Sequence, residues 1–352
     1  MVTPRDSRQR ANLEQVAAAA GVSRATASRV VNGLATVDPD LRARVERAVE
    51  ELGYSPNLAA RTLVTRRTDS VALVASEPDA RVFGDPFFSG IVRGVSQECM
   101  RSGVQMLLLM AQSFDDLTRI ESYLRTAAVD GVLLISEHAE RDPLPAALRS
   151  AGVPFVIGGR PFARDPAQRY VDNDNVGGAR LAVEHLTGRG RRVLATVAGP
   201  QDMTAGIDRL IGFRSALGRA FRARRVEPAD FTLQGGEAAT TRLLRRVPDV
   251  DGMFVASDLM ALGALRALAR AGRRVPDDVA VVGFDDIEAA EHAEPPLTTV
   301  RQETALQGRA MVRLLLAQTR PELTAAEEPD LPDLRWVDHL VLPVRLIARD
   351  SG

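Results

Sequence analysis

Residues 13–33 read LEQVAAAAGVSRATASRVVNG, the pattern of two short helices joined by a tight turn. Gly21 interrupts the run of small residues where the turn is expected, and small or apolar side chains recur at helical spacing on both sides of it. Such a turn directs the second helix outward, so the stretch predicts a helix-turn-helix. The residues that can pack the two helices together are Val16, Ala17, Val22, Ala27 and Val30.

The outward side of the second helix would carry Arg24, Ala25, Ser28 and Arg29. An arginine can donate two hydrogen bonds to a guanine, and serine or threonine hydroxyls suit phosphate oxygens, so this side is chemically suited to a DNA groove. The alternative is a surface helix of a small capping domain. It stays open because all 45 basic residues of the chain are arginines, which lowers the weight of any single one.

Charge is distributed unevenly along the chain. Residues 1–69 hold eleven arginines and eight acidic residues, a net charge of +3, whereas the whole chain carries −1. A basic N-terminal segment is a mild signature of a nucleic-acid partner. At 352 residues the chain is long enough for two or three domains.

Several protein classes are disfavoured by what the sequence lacks. The longest apolar runs are only of strand length, and residues 1–15 are charged throughout, unlike a secretory signal, so we expect a cytoplasmic protein with no membrane partner. Cys99 is the only cysteine and cannot form an intramolecular disulfide. The four histidines lack metal-ligand spacing, and we find no nucleophile elbow or phosphate-binding loop. We therefore expect no metal, no cofactor and no enzymatic activity.

The pattern along the chain changes near residue 70. Before it, a third helix is predicted over 39–52, where Asp38 and Pro39 form an N-cap and first-turn pair and Gly53 ends the helix. After it, apolar runs alternate with helical stretches, which predicts a two-lobed α/β domain with doubly wound parallel sheets behind an all-α headpiece. The runs are SVALVAS (70–76), VQMLLLMA (104–111), DGVLLIS (130–136), VPFVIGG (153–159), RRVLATVAG (191–199), DGMFVAS (251–257) and DVAVVGFDD (278–286).

The segment GYSPNLAARTL (53–63), together with AGVSRATASRVVNG (20–33) and the later strand–helix pattern, resembles the lactose/galactose-repressor family of bacterial transcription regulators. The resemblance covers nearly the whole chain. It implies that the second helix enters the major groove and that residues 55–63 become a hinge helix on operator binding, with Leu63 inserted into the minor groove rather than covering the lobe beneath it. The DNA-binding residues it implies are Ser23, Arg24, Ala25, Thr26, Ser28, Arg29, Asn32, Tyr54, Asn57 and Leu63.

The resemblance also implies a periplasmic-binding-protein-like effector domain and a division of the chain. We expect a headpiece over residues 1–55, a hinge over 56–69, and an effector-binding and dimerisation domain over 70–352. One lobe would comprise 70–168 and 300–334, and the other 169–299 and 335–352. The chain would cross between the lobes near Gln168, near 297–302 and near Arg335.

An effector site is expected in the cleft, where open α/β sheets bind ligands. Aromatic rings stack on apolar sugar faces, while arginine and aspartate offer paired hydrogen bonds to vicinal hydroxyls. Each candidate also has a structural alternative: a helix-start core for the phenylalanines, a surface arginine, or a strand-end cap. The residues at matching positions are Phe87, Phe88, Arg160, Arg209 and Asp285.

Three positions depart from the family pattern and leave the ligand unidentified. Ser257 stands where many relatives carry asparagine, Glu237 where they often have an aromatic residue, and Met203 where they often have a polar contact. The resemblance implies a repressor that binds a palindromic operator as a homodimer and is released or recruited by a small effector, most simply a carbohydrate. The alternatives are a corepressor-dependent regulator that binds a nucleobase or phosphosugar, and a transcriptional activator.

Overall fold

The computed structural model describes residues 11–31, 37–54, 67–126, 129–136, 138–139, 142–162, 167–324 and 329–352. The chain divides into two compact units, residues 1–68 and 69–352. Within the described residues, no helix combines the length and the apolar character needed to cross a membrane.

The described part of the first unit contains three helices: α1 (Leu13–Ala20), α2 (Arg24–Val31) and α3 (Pro39–Glu51). Asn12 caps α1 by accepting a hydrogen bond from the backbone of Gln15, whose side chain accepts one in return. Gly21 ends α1 with a φ of 61°, a left-handed conformation that glycine adopts at little cost. Asp38 caps α3 as the sequence predicts.

The three helices enclose a small core of their own. Val16, Ala27 and Val45 are fully buried, one from each helix. This packing confirms the predicted pairing of small and apolar residues across the turn. Around it lie the remaining buried members Ala17, Ala20, Val30 and Ala48.

The second unit contains two six-stranded sheets, one in each lobe. The first sheet has the order β11-β5-β4-β3-β1-β2 and the second the order β12-β10-β9-β8-β6-β7. All described strand pairs are parallel except β10 with β12. The strands are β1 (Ser70–Ala75), β2 (Gln105–Met110), β3 (Gly131–Ile135), β4 (Phe155–Gly158), β5 (Tyr170–Asn173), β6 (Leu194–Ala198), β7 (Val226–Pro228), β8 (Gly252–Val255), β9 (Ala280–Asp285), β10 (Thr298–Arg301), β11 (His339–Leu342) and β12 (Arg345–Ile347).

Helices cover both faces of each sheet, as parallel strands require. The first lobe has separate cores on its two faces, and the second lobe has one large core. The helices of this unit are α4 (Asp79–Gly84), α5 (Pro86–Arg101), α6 (Phe114–Leu124), α7 (Leu144–Ala151), α8 (Asn175–Gly188), α9 (Thr204–Leu217), α10 (Leu233–Arg246), α11 (Asp258–Arg270), α12 (Glu288–Glu291) and α13 (Thr304–Thr319). The predicted fold class is confirmed.

Two expected lobe crossings are wrong by one strand. Strand β5 pairs with β4 in the first sheet, so the chain crosses after Asn173 and not near Gln168. Strand β11 pairs with β5, so the last crossing follows Leu342 and not Arg335. The middle crossing lies directly after Arg301, within the expected range of 297–302. Residues 300–301, which the expected division places in the first lobe, belong to the second sheet. Both errors arise because β5 (YVDN) and β11 (HLVL) are four-residue strands with at most three consecutive apolar residues.

Candidate functional site

A cavity of about 710 Å³, counting the solvent at its mouth, lies between the two lobes. It is lined by residues at or just after the carboxyl ends of strands from both sheets, including Gly158, Asp172 and Asp285. Ligand sites in open α/β sheets lie at this edge. The cavity therefore lies in the position expected of a small-ligand site.

Arg209 of α9 reaches the cavity from the second lobe and is only 4% exposed. Its Nε donates to Asn175 Oδ1 at 2.8 Å, and its Nη1 donates to the carbonyl of Ala256. The guanidinium also lies over the Phe284 ring, 3.7 Å from the centroid. These contacts fix the side chain in one orientation.

Asp285 ends β9 with a φ of 116°, an unusual conformation for a residue with a side chain. Its Oδ1 lies 3.5 Å from Arg209 Nη1 and accepts a hydrogen bond of 2.6 Å from Gln302 Nε2. Burial raises the pKa of Asp285 to about 7, although Arg209 opposes the rise. Near neutral pH this carboxyl can therefore be protonated, so it can donate as well as accept hydrogen bonds. Asp286, which follows it, instead pairs with Arg301 and Arg349.

Asp172 is a second buried carboxyl at the cavity, at the end of β5. Its Oδ1 accepts from the backbone of Asn173 and from Asn175 Nδ2. Burial raises its pKa to about 7. Beside it, the side-chain oxygen of Asn173 is buried and has no hydrogen-bond partner among the described residues. An unpartnered buried acceptor is costly, and a ligand hydroxyl could satisfy it.

Arg160, from the loop after β4, joins the lobes. Its Nε and Nη2 each donate to a carboxylate oxygen of Asp208 on α9 at 2.8 Å. Such a two-point pair fixes both position and orientation. Three phenyl rings complete the walls: Phe87, Phe88 and Phe231.

All five predicted effector residues line this one cavity: Phe87, Phe88, Arg160, Arg209 and Asp285. Phe88 is 1% exposed and belongs to the first-lobe core as well, which agrees with its structural alternative. Sequence reasoning missed other lining residues, among them Asp172, Asn173, Asn175, Phe231 and Gln302. The signal for the first three was the polar run DNDN (172–175), which begins at the end of the short strand β5.

The departures noted in the sequence have structural explanations. Glu237 lies on α10 and pairs with Arg270, and an aromatic ring is supplied to the cavity by Phe231 instead. The aromatic side chain that is absent at position 237 is therefore supplied from another position of the chain. Met203 lines the cavity with its sulfur 4.0 Å from the guanidinium of Arg81, and Ser257 caps α11.

The polar side of α2 is presented as predicted. Arg24, Ala25 and Arg29 are exposed, whereas Ala27 and Val30 are buried. The Ser23 hydroxyl accepts a hydrogen bond from the backbone of Thr26, so Ser23 begins the helix and stands at its exposed end. A short helix with an arginine-bearing outer face can enter a major groove.

Of the other predicted DNA-binding residues, two are partly buried in the headpiece and three lie outside the described residues. Tyr54 packs against the headpiece core, next to Val49. Ser28 is half-buried on α2. Asn32, Asn57 and Leu63, together with the expected hinge helix, lie outside the described residues.

A helix-turn-helix unit joined to a two-lobed domain with an interlobe cleft defines a ligand-responsive DNA-binding regulator. The family model for bacterial regulatory proteins of the lacI family matches residues 12–57, and the model for the periplasmic binding protein-like domain matches residues 183–351. The chain is 51% identical over 351 residues to the HTH-type transcriptional regulator CelR of Thermobifida fusca, which covers 99% of this chain and 100% of that protein. The chain belongs to the lacI family of bacterial transcriptional regulators.

Solved structures support the same assignment. A structure described as a transcriptional regulator CelR–cellobiose complex has a TM-score of 0.75 and 49% identity, and it covers 97% of this chain and 100% of that one. The lac repressor dimer bound to operator and the anti-inducer ONPF has a TM-score of 0.80 and 28% identity, over 97% of this chain and 99% of that one. The architecture of this protein is thus that of regulators solved with a sugar or with operator DNA.

Proposed function

We propose that the protein is a cytoplasmic repressor that binds a palindromic operator as a homodimer, and that a disaccharide of the cellobiose type in the interlobe cleft changes its operator affinity. The proposal contains no catalytic step. Support for the ligand class comes from the chemistry of the cavity and from the likeness to a regulator solved with cellobiose.

The ligand assignment depends on one observation. Two buried carboxyls line the same cavity as an amide oxygen that has no hydrogen-bond partner among the described residues. Asp172 and Asp285 each have a pKa raised to about 7, and the Asn173 side-chain oxygen has no partner. Near neutral pH such groups offer both donors and acceptors in a mostly buried site. A hydroxyl also both donates and accepts, so a ligand with many hydroxyls satisfies this wall better than an apolar one does.

The arginines of the cavity disfavour a phosphosugar. Arg81 pairs with Glu77, Arg160 with Asp208, and Arg209 with Asp285 and a backbone carbonyl. Among the described lining residues, each arginine therefore already has an acidic partner. A phosphate would have to compete with these carboxylates, whereas a neutral sugar would not.

For DNA binding, we propose that α2 reads the operator. Arg24 and Ala25 would contact base edges, while Ser23, Thr26, Ser28 and Arg29 would support them or contact phosphates. Asn32, Tyr54, Asn57 and Leu63 stay proposed contacts on the strength of the family resemblance. One such helix reads only a few base pairs, which is the reason for a two-fold dimer.

The test is thermal denaturation of the full chain with a ligand panel: cellobiose, its α-linked isomer maltose, ribose, hypoxanthine and glucose 6-phosphate. A ligand at 100 times its dissociation constant stabilises the folded state by about 2.7 kcal/mol. We expect cellobiose to raise the midpoint and maltose to raise it far less. Stabilisation by hypoxanthine or glucose 6-phosphate, with none by cellobiose, would reject the assigned ligand class.

A further inference from the structure

His138 lies in the first lobe, after β3, and connects the two lobes. Its Nδ1 is 2.9 Å from Asp202 Oδ2, which belongs to the second lobe, and its Nε2 is 3.2 Å from Glu77 Oε1, which follows β1 in the first lobe. The next residue, Ala139, donates its backbone N–H to the Asp202 carbonyl at 2.8 Å. We call Glu77, His138 and Asp202 the interlobe bridge.

The hydrogen bonds of the bridge determine the charge of the ring. An ionised carboxylate only accepts hydrogen bonds, and a neutral imidazole donates from one nitrogen only. Two ring nitrogens facing two carboxylates can therefore both donate only when His138 is protonated. Consistent with this, the Glu77 hydrogen bond raises the pKa of His138, burial opposes the rise, and the Asp202 hydrogen bond adds to it.

Other charged groups act on the bridge from the surrounding elements. Arg81 of α4 donates to Glu77 at 2.6 Å and so competes with His138 for that carboxylate. Asp142 lines a neighbouring pocket together with His138, and it accepts a hydrogen bond from Ser76 at 2.8 Å. Glu77 is 4% exposed while Asp202 is 42% exposed on its side chain, so the first-lobe half of the bridge is the more buried.

We propose that His138 is a positioning residue of the effector response: closing the cleft brings Asp202 onto His138, and this contact couples closure to the uptake of a proton. The inference rests on the proposed function, because it requires a ligand that closes the lobes. Glu77 and His138 belong to one lobe and stay together when the lobes part, whereas Asp202 moves with the other lobe. Closure of the lobes therefore changes only the contribution that Asp202 makes to the pKa of His138.

The sign of the pH effect follows from this geometry. Below the pKa that His138 has when the lobes are open, the ring is protonated in both forms, so the Asp202 contact stabilises the closed form fully and affinity does not change with pH through the bridge. Above it, closure must recruit a proton, and ligand affinity falls as pH rises until the pKa of the closed form is passed. Each unit by which closure raises the pKa of His138 corresponds to a tenfold loss of affinity across this window.

The first measurement is a histidine NMR titration of the full chain labelled at Cε1, with and without saturating cellobiose. The chain has four histidines, so the signal that disappears in His138→Gln is assigned. We expect the pKa of His138 to fall in Asp202→Asn relative to wild type. If Asp202→Asn leaves the pKa of His138 unaltered both with and without cellobiose, the proposal is overturned, whether or not cellobiose binds.

The second measurement is calorimetric titration with cellobiose at pH 7 in two buffers of different ionisation enthalpy, which counts the protons exchanged. Asp172 and Asp285 can also exchange protons on binding, so the comparison is between His138→Gln and the control His292→Gln. We expect the control His292→Gln to take up more protons on binding cellobiose than His138→Gln does. We also expect the cellobiose affinity of the control to fall more between pH 6.5 and 8 than that of His138→Gln. Equal proton counts with normal binding overturn the coupling. A wild-type protein that does not bind cellobiose rejects the assigned ligand, and the NMR titration still decides the bridge.

Discussion

At the scale of single residues, Asp285 is the side chain that best separates ligand binding from folding. Asp285→Asn keeps the shape and can still accept from Gln302, but it removes the charge that faces Arg209. A hydrogen bond to a charged group is worth about 1.5–3 kcal/mol, so we expect cellobiose affinity to fall by roughly 10- to 100-fold. Calorimetric titration measures the loss.

The matched control for this prediction is Asp277→Asn, since Asp277 is 65% exposed and lies outside the cleft. It should bind like wild type. Equal affinity in Asp285→Asn and Asp277→Asn would place the ligand elsewhere. Arg209→Ala is a poorer probe, because Arg209 also holds Asn175 and the Ala256 carbonyl.

Asp172 gives a prediction for stability against pH. Its pKa is about 7 in the folded chain against an ordinary value of 3.8, so between these values the folded state binds the extra proton and stability falls as pH rises. Asp172→Asn is neutral throughout and lacks this penalty. We expect it to raise the free energy of unfolding at pH 8 by roughly 2–4 kcal/mol and to leave it nearly unchanged at pH 4.

Urea denaturation at both pH values tests this sign, with Asp277→Asn as the exposed reference. A variant that is destabilised at pH 8 would mean that the Asp172 charge is stabilised in the fold, contrary to its burial.

At the scale of elements, α2 carries the DNA prediction. The Arg24 side chain is 72% exposed, and among the described residues it has only a long, exposed ion pair with Glu14, which is worth little for stability. We expect Arg24→Ala to leave the headpiece folded and to relax base preference at one symmetric pair of operator positions, by about 1–3 kcal/mol per contact. Selection from an operator library measures it. Arg47→Ala on α3 is the control, and an unchanged preference in Arg24→Ala would contradict the role.

The contact between α5 and α13 depends on glycines. A Cβ at Gly94 would lie 1.9 Å from the Ala305 carbonyl oxygen, which belongs to the backbone and cannot rotate away. We expect Gly94→Ala to destabilise the protein by about 1–3 kcal/mol despite alanine's better helix propensity. Gly188→Ala in α8 meets no atom within 4 Å and should be neutral or slightly stabilising. Thermal denaturation compares them, and equal midpoints would mean that the two helices separate at no cost.

How far the sequence predicts this structure depends on the kind of element. The three headpiece helices and seven of the strands are predictable because caps and apolar runs are local signals. Strands β5 and β11 are not, because their place as the last two strands on one side of the first sheet is set by pairing with a distant segment. For the same reason, sequence reasoning found Arg209 and Asp285 through their family positions but missed Asp172, which lies on β5.

Phe231 shows a second limit. It has a φ of 62°, so its backbone is left-handed in the loop after β7, and this conformation brings the ring to the cavity. Nothing in a residue's neighbours predicts a left-handed phenylalanine, which is rare. The sequence therefore indicated a missing aromatic at Glu237, whereas the ring comes from a position six residues earlier.

At the scale of the whole molecule, the cleft would act as a switch for DNA affinity under the proposed function. The two lobes are joined by three crossings and by side-chain contacts across the cleft, such as Arg160 with Asp208. A ligand shifts the balance between open and closed lobes only by its differential affinity for the two forms. If that balance sets operator affinity, then ligand and operator must influence each other's binding by the same factor.

The most direct test is the operator affinity of the full chain, measured with and without saturating cellobiose, for wild type and Asp285→Asn. We predict a change of at least about fivefold in wild type, the lower end of typical coupling between two sites, and a smaller change at the same cellobiose concentration in Asp285→Asn. Release from the operator would make cellobiose an inducer, and tighter binding a corepressor. Cellobiose that saturates the wild-type cleft and leaves operator affinity unaltered would contradict the account.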